Sequence, residues 1–229
     1  MDTLPEPDTS SCLAATAMVD CDTPAVRTFA QQRSAGRATA LSRAVALYYA
    51  VRDDIRYDAY GLDLSVDGLR ASTTLAAGRG WCVSKAVLLA AACRAIGIPA
   101  ALGYADVRNH LSTARMREQM KTDVFYWHGY TAILLEGRWV KATPAFNIEL
   151  CEKFRIRALE FNGREDSIYH PLDLDGRQHM EYLAYRGEFA DVPLAAMVAD
   201  FRRHYPGVSE NLASGDFERD VERETATPG

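Results

Sequence analysis

One apolar segment constrains the fold more than any other part of the sequence. Residues 82–97 read CVSKAVLLAAACRAIG, with apolar side chains around most of the helical circumference. A helix that is apolar on nearly every side has to be buried against other elements. Gly97 and then Pro99 predict that the helix ends there. The segment therefore predicts a core helix surrounded by the rest of the fold.

The segments around this helix predict both helices and strands. Before it, a segment with Pro24 at its first turn and an amphipathic segment over 41–55 predict two helices. After it, residues 98–107 predict a strand, and two β-rich runs around a Glu-Gly turn at 136–137 predict a hairpin. Helices come first and antiparallel strands follow, so we expect an α+β fold with the buried helix packed on an antiparallel sheet.

The remaining segments carry weaker signals. Residues 12–20 predict a short edge strand or an arm that pairs with a neighbour, while 58–78 and 150–190 predict loops or irregular structure. Residues 109–123 predict a polar, partly helical excursion, and 192–206 predict a short closing helix. No internal repeat is visible, and the oligomeric state is open.

Composition places the chain among ordinary globular proteins. It has 229 residues, 48% of them hydrophobic and 25% charged, and no apolar run approaches the ~20 residues that a bilayer span requires. The first residues are acidic and lack a basic, apolar leader, so we expect a cytoplasmic location. The five cysteines are odd in number and widely spread, which fits a reducing compartment rather than a disulfide framework.

The charge of the chain is concentrated at one end. The net charge is −5, and residues 209–229 contain six acidic side chains and two arginines. We therefore expect a single domain over residues 1–208 followed by an acidic, flexible tail at 209–229. The body is nearly neutral, so nothing suggests a nucleic-acid-binding surface, and no membrane partner is expected.

Cys82 is the cysteine with a chemical context. A thiol at a helix N-terminus faces free backbone N–H groups and the positive end of the helix dipole, which favour the thiolate. The same N–H groups can hold an oxyanion, and Gly78 and Gly80 allow a tight turn that exposes the sulfur. The alternative interpretation is that Cys82 is only a small side chain packed in the core, which is the role we expect for Cys93. The other cysteines, Cys12, Cys21 and Cys151, have no supporting context.

A nucleophilic cysteine needs a base, and His128 is the candidate. It lies in the strand-like run VFYWHGYTAIL, where a polar side chain among aromatic residues requires a reason. Paired with Cys82 it suggests a Cys–His arrangement for nucleophilic catalysis. The remaining histidines, His110, His170, His179 and His204, are isolated from one another in sequence. Neither a metal site nor a cofactor is predicted.

Two runs of sequence resemble the transglutaminase-like superfamily. GWCVSKAVLLAAACRAIGIPA resembles its G-x-C…A…L…R-x-x-G-I-P-A signature, and WHGYTAILLEGRWVKATP resembles its H-x-x…G-x-W-V-x-x-D-P segment. ADVRNH, KATPAFN and HMEY further resemble a bacterial subgroup. The similarity covers roughly residues 48–146. It implies a papain-like core, with Cys82 as the nucleophile and His128 as the base. Trp81 and the Cys82 N–H are the candidates to assist the oxyanion.

One position departs from the family pattern. The family has aspartate before proline, whereas this chain has Thr143 before Pro144. A hydroxyl can orient an imidazole but cannot stabilise imidazolium as a carboxylate does. Asp106, which closes the strand after the central helix, is the predicted substitute if that strand pairs with the strand of His128.

Several other residues are weaker candidates at this site. Asp106 has the alternative role of a strand-end cap or of an ion-pair partner for Arg108. Asn147 and Asp123 are weaker choices for the third group. Asn109 and His110 could line the site, although a surface turn is the simpler role, and His170 and His179 could rim the cleft.

These residues favour thiol-dependent acyl transfer through an acyl-enzyme on Cys82. The substrate would be an amide, ester or thioester of a small molecule, a peptide or a carrier-bound acyl chain. Water as acceptor would give a cysteine protease or amidase, an amine would give transamidation, and an internal carbon would give Dieckmann-type cyclisation. The alternative from another class is a non-catalytic binding module of the same fold, which the Thr143 departure suggests.

Overall fold

The structure, a computed structural model, describes residues 7–109, 112–168, 180–205 and 215–226. Its helices are α1 (Pro24–Arg33), α2 (Ala40–Asp54), α3 (Val66–Leu69), α4 (Ala71–Ala77), α5 (Cys82–Ala95), α6 (Ala114–Met120), α7 (Ile148–Phe154), α8 (Leu194–His204) and α9 (Phe217–Thr225). Its strands are β1 (Arg56–Tyr57), β2 (Arg79–Gly80), β3 (Ala100–Asn109), β4 (Val124–Leu135), β5 (Arg138–Ala142) and β6 (Met180–Phe189).

The apolar segment forms α5, in which every residue from Cys82 to Arg94 is buried. Its end follows the prediction, because Gly97 has a left-handed φ of 79° that glycine adopts without strain. The Ile98 N–H then donates to the carbonyl of Cys93 at 3.0 Å, which closes the helix. α5 is therefore the core helix that its sequence predicted.

A buried lysine connects α5 to α2. Lys85 is completely buried and donates from Nζ to the carbonyl oxygens of Arg52, at 3.0 Å, and of Ile55. The carbonyl groups at the end of a helix lack intrahelical donors, and Lys85 donates hydrogen bonds to two such carbonyl groups at the end of α2. Burial lowers the pKa of Lys85 to about 7. The contact fixes the chain where it leaves α2 and enters β1.

The four long strands form one antiparallel sheet in the order β5-β4-β3-β6. Two contacts hold β4 against α5. Thr131 Oγ1 donates to the carbonyl of Ala86 at 2.9 Å, and a side chain at Gly129 would lie only 2.9 Å from the Cα of Val83. The backbones of strand and helix therefore meet at Gly129. The α+β class, with a buried helix on an antiparallel sheet, is confirmed.

The predicted hairpin joins β4 to β5. Glu136 and Gly137 have φ values of 49° and 79°, and positive φ at both turn residues is the requirement of a type I′ turn. The helices predicted at Pro24, over 41–55 and near the C-terminal end of the body are also present, as α1, α2 and α8.

Three segments differ from their predicted structure. Residues 12–20 form turns rather than an edge strand, although the Cys12 carbonyl accepts a hydrogen bond from the first residue of β3 at 3.0 Å. The predicted loop over 58–78 contains α3 and α4, and the irregular region 150–190 contains most of α7 and all of β6. Helices of four to seven residues show too few turns for a hydrophobic period to be recognised.

The acidic C-terminal segment also differs, in its described part, from the predicted flexible tail. Residues 217–225 form α9, and its Phe217 and Val221 are buried. These two residues are four apart and so lie on one face of the helix. Asp220 accepts hydrogen bonds from Tyr60 Oη at 2.9 Å and Arg115 Nε at 2.8 Å. The acidic side chains of α9 thus include Asp220 and Glu218, which contact residues in the rest of the domain.

None of the helices in the described ranges is both long enough and apolar enough to cross a bilayer.

Candidate active site

Cys82 is the first residue of α5, and close packing fixes the chain that leads to it. β1 and β2 pair in parallel, with Tyr57 opposite Gly80. A Cβ atom on Gly80 would collide with Ser84 Oγ, so only glycine fits at that position. Ser84 Oγ also accepts a hydrogen bond from the Trp81 N–H at 3.1 Å. The thiol is consequently held at the N-terminal end of the central helix.

β4 brings His128 to the same end of α5. A Cβ atom on Gly129, the residue after His128, would lie 2.9 Å from the Cα of Val83, so β4 packs directly on the first turn of the helix. The side chains of Cys82 and His128 line one cavity. The structure therefore brings together the two residues that the sequence singled out as nucleophile and base.

The cavity that they share is small and almost wholly apolar. Its volume is about 40 Å³, enough for a few water molecules at about 10–15 Å³ each. Cys82 and His128 are only 7% and 6% exposed. The other lining residues are all apolar or aromatic and come from the loop after α2, the start of α5, and α6, β4 and α8: Tyr57, Ala59, Leu62, Trp81, Met116, Met120, Phe125, Tyr126, Phe201 and Tyr205.

Burial decides the charge of the thiol. It raises the pKa of Cys82 to about 11, and the N–H groups of Gly129, Val83 and Cys82 itself, which lower the pKa, offset only part of that effect. The sequence led us to expect that the helix start would favour a thiolate. In this cavity desolvation outweighs the helix terminus, and the group is a neutral thiol at pH 7.

The imidazole is neutral for the same reason. Burial lowers the pKa of His128 to about 4, so at pH 7 the ring carries one proton. Its Nε2 is buried and has no hydrogen-bond partner among the described residues. Buried polar atoms are nearly always paired in folded proteins, and an unpaired one beside a thiol is a recognised mark of a functional site.

Asp106 does not contact His128. β3 pairs with β4 as the sequence prediction required, with Ala105 opposite His128. However, Asp106 Oδ1 accepts hydrogen bonds from the Trp127 N–H at 3.2 Å and from Arg186 Nε at 2.5 Å. None of the hydrogen bonds among the described residues joins Asp106 to His128. The carboxylate therefore acts on the residue next to the histidine.

Trp127 lies at a β-bulge held by charged side chains. Tyr126 and Trp127 of β4 together face the single residue Asp106 of β3, and Trp127 has a left-handed φ of 62°. Such a conformation costs a bulky residue about 1–3 kcal/mol and persists only where the surrounding contacts enforce it. Here Trp127 Nε1 donates to Asp200 Oδ2 at 2.9 Å, and the Arg186 guanidinium lies 4.5 Å from the ring centroid.

Arg186 connects the two carboxylates of this charged clamp, which we define as Asp106, Arg186 and Asp200. It pairs with Asp106 through Nε and with Asp200 through Nη1. Because the clamp holds both the backbone and the ring of Trp127, it fixes the bulge from which His128 projects.

The other candidates for a third group are occupied elsewhere. Thr143 Oγ1 donates to the carbonyl of Ile168 at 3.2 Å, and Asn147 Oδ1 accepts from the Tyr57 N–H at 3.1 Å. Asp123 pairs with Arg108 at 3.3 Å, the partner that the sequence had suggested for Asp106. In the described ranges no carboxylate is hydrogen-bonded to His128.

The remaining residues from the sequence either pack in the core or lie outside the described ranges. Cys12, Cys21, Cys93 and Cys151 are buried free thiols, and none of them lines the cavity. His204 stacks on Tyr126 with ring centroids 3.8 Å apart. His110, His170 and His179 lie outside the described residues, as does the side chain of Asn109.

Sequence reasoning missed Arg186 and Asp200. They come from β6, in a region predicted to be irregular, and from α8, whose amphipathic pattern gave no sign that one acidic residue turned toward β4. No local motif marks either residue. Only the order of strands, which places β6 beside β3, brings Arg186 to Asp106.

Comparison with known proteins identifies the superfamily. The model of the family described as "Transglutaminase-like superfamily" matches residues 27–144, slightly more than half of the chain. That range includes α5, β3, β4 and β5. No curated protein matches the chain significantly.

Two solved structures are similar to the chain. "Putative Cysteine Protease from Cytophaga hutchinsonii" is 17% identical, with a TM-score of 0.47, and the match covers 80% of this chain and 55% of that one. "Putative protease from Parabacteroides distasonis" is 15% identical, with a TM-score of 0.37, over 56% of this chain and 26% of that one. The chain thus spans about half the length of the first and a quarter of the second.

Proposed function

Because the chain belongs to the transglutaminase-like superfamily, we propose that it is a thiol-dependent acyl-transfer enzyme that forms an acyl-enzyme on Cys82, with His128 as the base. One observation carries this proposal: Cys82 and His128 line the same cavity at the start of α5, and Nε2 of His128 has no hydrogen-bond partner among the described residues. A thiol and a free imidazole nitrogen are the two groups that nucleophilic acyl transfer requires.

In the first step the pair starts neutral. The Cys82 sulfur attacks the carbonyl carbon of an amide, ester or thioester while its proton passes to Nε2 of His128. The new C–S bond forms as the carbonyl π electrons move onto oxygen, and the Cys82 N–H and Trp81 are the candidate groups to stabilise that oxygen. Collapse of this intermediate breaks the bond to the leaving group, which takes the proton from His128.

In the second step an acceptor attacks the thioester and restores the thiol. His128 again removes the acceptor's proton and returns it to sulfur. Water as the acceptor would make the protein a protease or amidase, and an amine would make it a transamidase. An internal carbanion would close a ring in the acyl chain and release the Cys82 thiol. No carboxylate contacts the imidazole in the described structure, so stabilisation of imidazolium is weak and a reactive ester or thioester is the favoured donor.

The test is direct detection of the acyl-enzyme. The protein is mixed with short-chain thioesters of N-acetylcysteamine and weighed intact by mass spectrometry. We expect one acyl adduct, mapped to Cys82, that is absent in Cys82→Ala. Replacement of His128 by Phe should slow adduct formation by about 10²–10⁴-fold.

Cys93→Ala is the matched control, because Cys93 lies on the same helix, is equally free and does not line the cavity. It should keep the adduct. If no thioester, ester or amide gave an adduct and none was consumed by the protein, catalysis would be rejected and the non-catalytic binding module favoured. An adduct on another cysteine would reject Cys82 as the nucleophile.

We extend the proposal to the setting of the protein. The candidate substrates remain small molecules, peptides or carrier-bound acyl chains. Five free cysteines support the cytoplasmic location expected from the sequence, since an oxidising compartment would favour their pairing.

A further inference from the structure

We infer that the acyl group transferred by this site is apolar, and that Met116 and Met120 of α6 determine how long a chain it accepts. The inference rests on the proposed acyl-enzyme at Cys82. It concerns which acyl donors reach the thiol, and it follows from the chemistry of the cavity wall.

The wall offers almost no polar contact to a bound acyl group. Among the described residues, ten line the cavity besides Cys82 and His128; all ten are apolar or aromatic, and none of them is charged. The Tyr205 hydroxyl, one of the few polar atoms nearby, is already used: it accepts from the Tyr126 N–H at 2.8 Å and donates to the Val124 carbonyl at 3.0 Å. The other polar side-chain groups among the ten are the hydroxyls of Tyr57 and Tyr126 and the indole N–H of Trp81, and the rest of that wall is carbon and ring surface. A carboxamide or carboxylate on the acyl chain would therefore exchange most of its water for apolar contacts.

A polar groove lies next to the cavity and shares Trp81 and Leu62 with it. Its volume is about 310 Å³, and it contains the charged side chains of Asp58, Asp63 and Arg79. The two spaces suit different parts of one substrate. The apolar acyl part fits beside the thiol, and the polar leaving group fits in the groove. The separation supports an acyl donor that is polar only beyond the reacting carbonyl.

The methionines form the adaptable part of the wall. A cavity of about 40 Å³ is too small for a chain of several carbons, so one side of the wall has to yield. Met116 and Met120 are four residues apart on one face of α6 and are 5% and 4% exposed. Unbranched methionine repacks more easily than the rings that line the rest of the cavity. Their side chains therefore set the depth available to the acyl chain.

The test compares acyl groups of equal length and different polarity. Rates of Cys82 acylation are measured by intact mass with acetyl, butanoyl, hexanoyl, octanoyl and 4-carbamoylbutanoyl thioesters of N-acetylcysteamine. We expect hexanoyl to react faster than 4-carbamoylbutanoyl, which matches its length, and faster than acetyl, by about tenfold or more in each comparison. Acylation at equal rates, or faster with the carbamoyl donor, would overturn the inference but leave the acyl-enzyme proposal intact. Failure of every donor would instead reject the proposed function.

A second arm tests the role of the methionines. Met120→Ala should raise the ratio of octanoyl to butanoyl rates by about fivefold or more, because the deeper cavity holds the longer chain. Met197→Ala is the matched control: Met197 is fully buried in α8 but does not line the cavity, so its loss should leave the ratio unchanged. If Met120→Ala does not fold, Met120→Val should give a smaller shift in the same direction. An unchanged ratio in a folded variant would overturn the methionine role.

Discussion

Trp127 and His128 are neighbours on β4, yet they lie in opposite electrostatic surroundings. The N–H, the indole and the ring face of Trp127 each meet a charged side chain of the clamp. His128 faces an apolar cavity, with Nε2 buried and unpaired in the described structure. Two successive residues of the strand therefore lie in contrasting surroundings, one among ion pairs and the next beside an apolar cavity.

The contrast shows how this chain uses its charges. In a triad the carboxylate contacts the imidazole itself and stabilises its charged form. Here the Asp106 carboxylate instead accepts from the N–H of the preceding residue, Trp127, and holds the backbone. The charges determine where His128 lies, and desolvation determines its protonation state.

We expect the largest effect in the loss of folding stability at acid pH that burial of His128 causes. The folded pKa of His128, about 4, is below its ordinary value of 6.5, so its contribution to stability is present above pH 6.5 and is lost as pH falls through 4. The gap corresponds to about 3 kcal/mol. Urea unfolding at pH 7 and pH 4 should show a larger fall for the wild type than for His128→Phe by about that amount. Equal falls would mean that the imidazole is not desolvated.

Disruption of the charged clamp should have the next largest effect on stability. Arg186→Met removes the cation between two partly buried carboxylates and should lower the free energy of unfolding by about 2 kcal/mol. Because the bulge then loosens, the acylation rate of Cys82 should fall by about tenfold. Arg108→Met is the control: its ion pairs with Asp123 and Glu181 are more exposed, and its loss should cost less than about 1 kcal/mol. If both variants behave alike, the clamp has no special role.

Asp106→Asn should have a smaller effect than removal of the arginine. The amide oxygen can still accept from the Trp127 N–H, but the ion pair with Arg186 is lost, so we expect a cost of about 1 kcal/mol and a modest drop in acylation rate.

The pH profile distinguishes positioning from direct catalysis by Asp106. A positioning residue leaves the pH dependence of acylation unchanged, whereas a carboxylate on the imidazole would shift it. Thr143→Val, which loses only its hydrogen bond to Ile168, should affect the rate less than Asp106→Asn. The reverse order would make Thr143 the orienting group.

Sequence reasoning located the central helix, the hairpin and the paired strands because each has a complete local signal. The apolar circumference of α5, the Gly97 stop and the Glu-Gly turn are all local patterns. The pairing of β3 with β4 was only a condition for the proposed role of Asp106, and the structure shows that pairing.

What sequence could not provide was the direction of side chains at an irregular position. A single extra residue at Trp127 turns Asp106 away from the histidine toward Arg186, which lies 80 positions further along the chain. The thiol was likewise misjudged, because the helix start is visible in sequence whereas the depth of burial of Cys82 is a property of the whole fold.

The most direct test of the account is an ultraviolet titration of the Cys82 thiolate. The absorbance of the Cys82→Ser variant is subtracted from that of the wild type across pH. We predict no thiolate at neutral pH and ionisation near pH 11, as burial in an apolar cavity requires. A thiolate already present at pH 7, and lost in His128→Phe, would show a thiolate–imidazolium pair and contradict the neutral site proposed here.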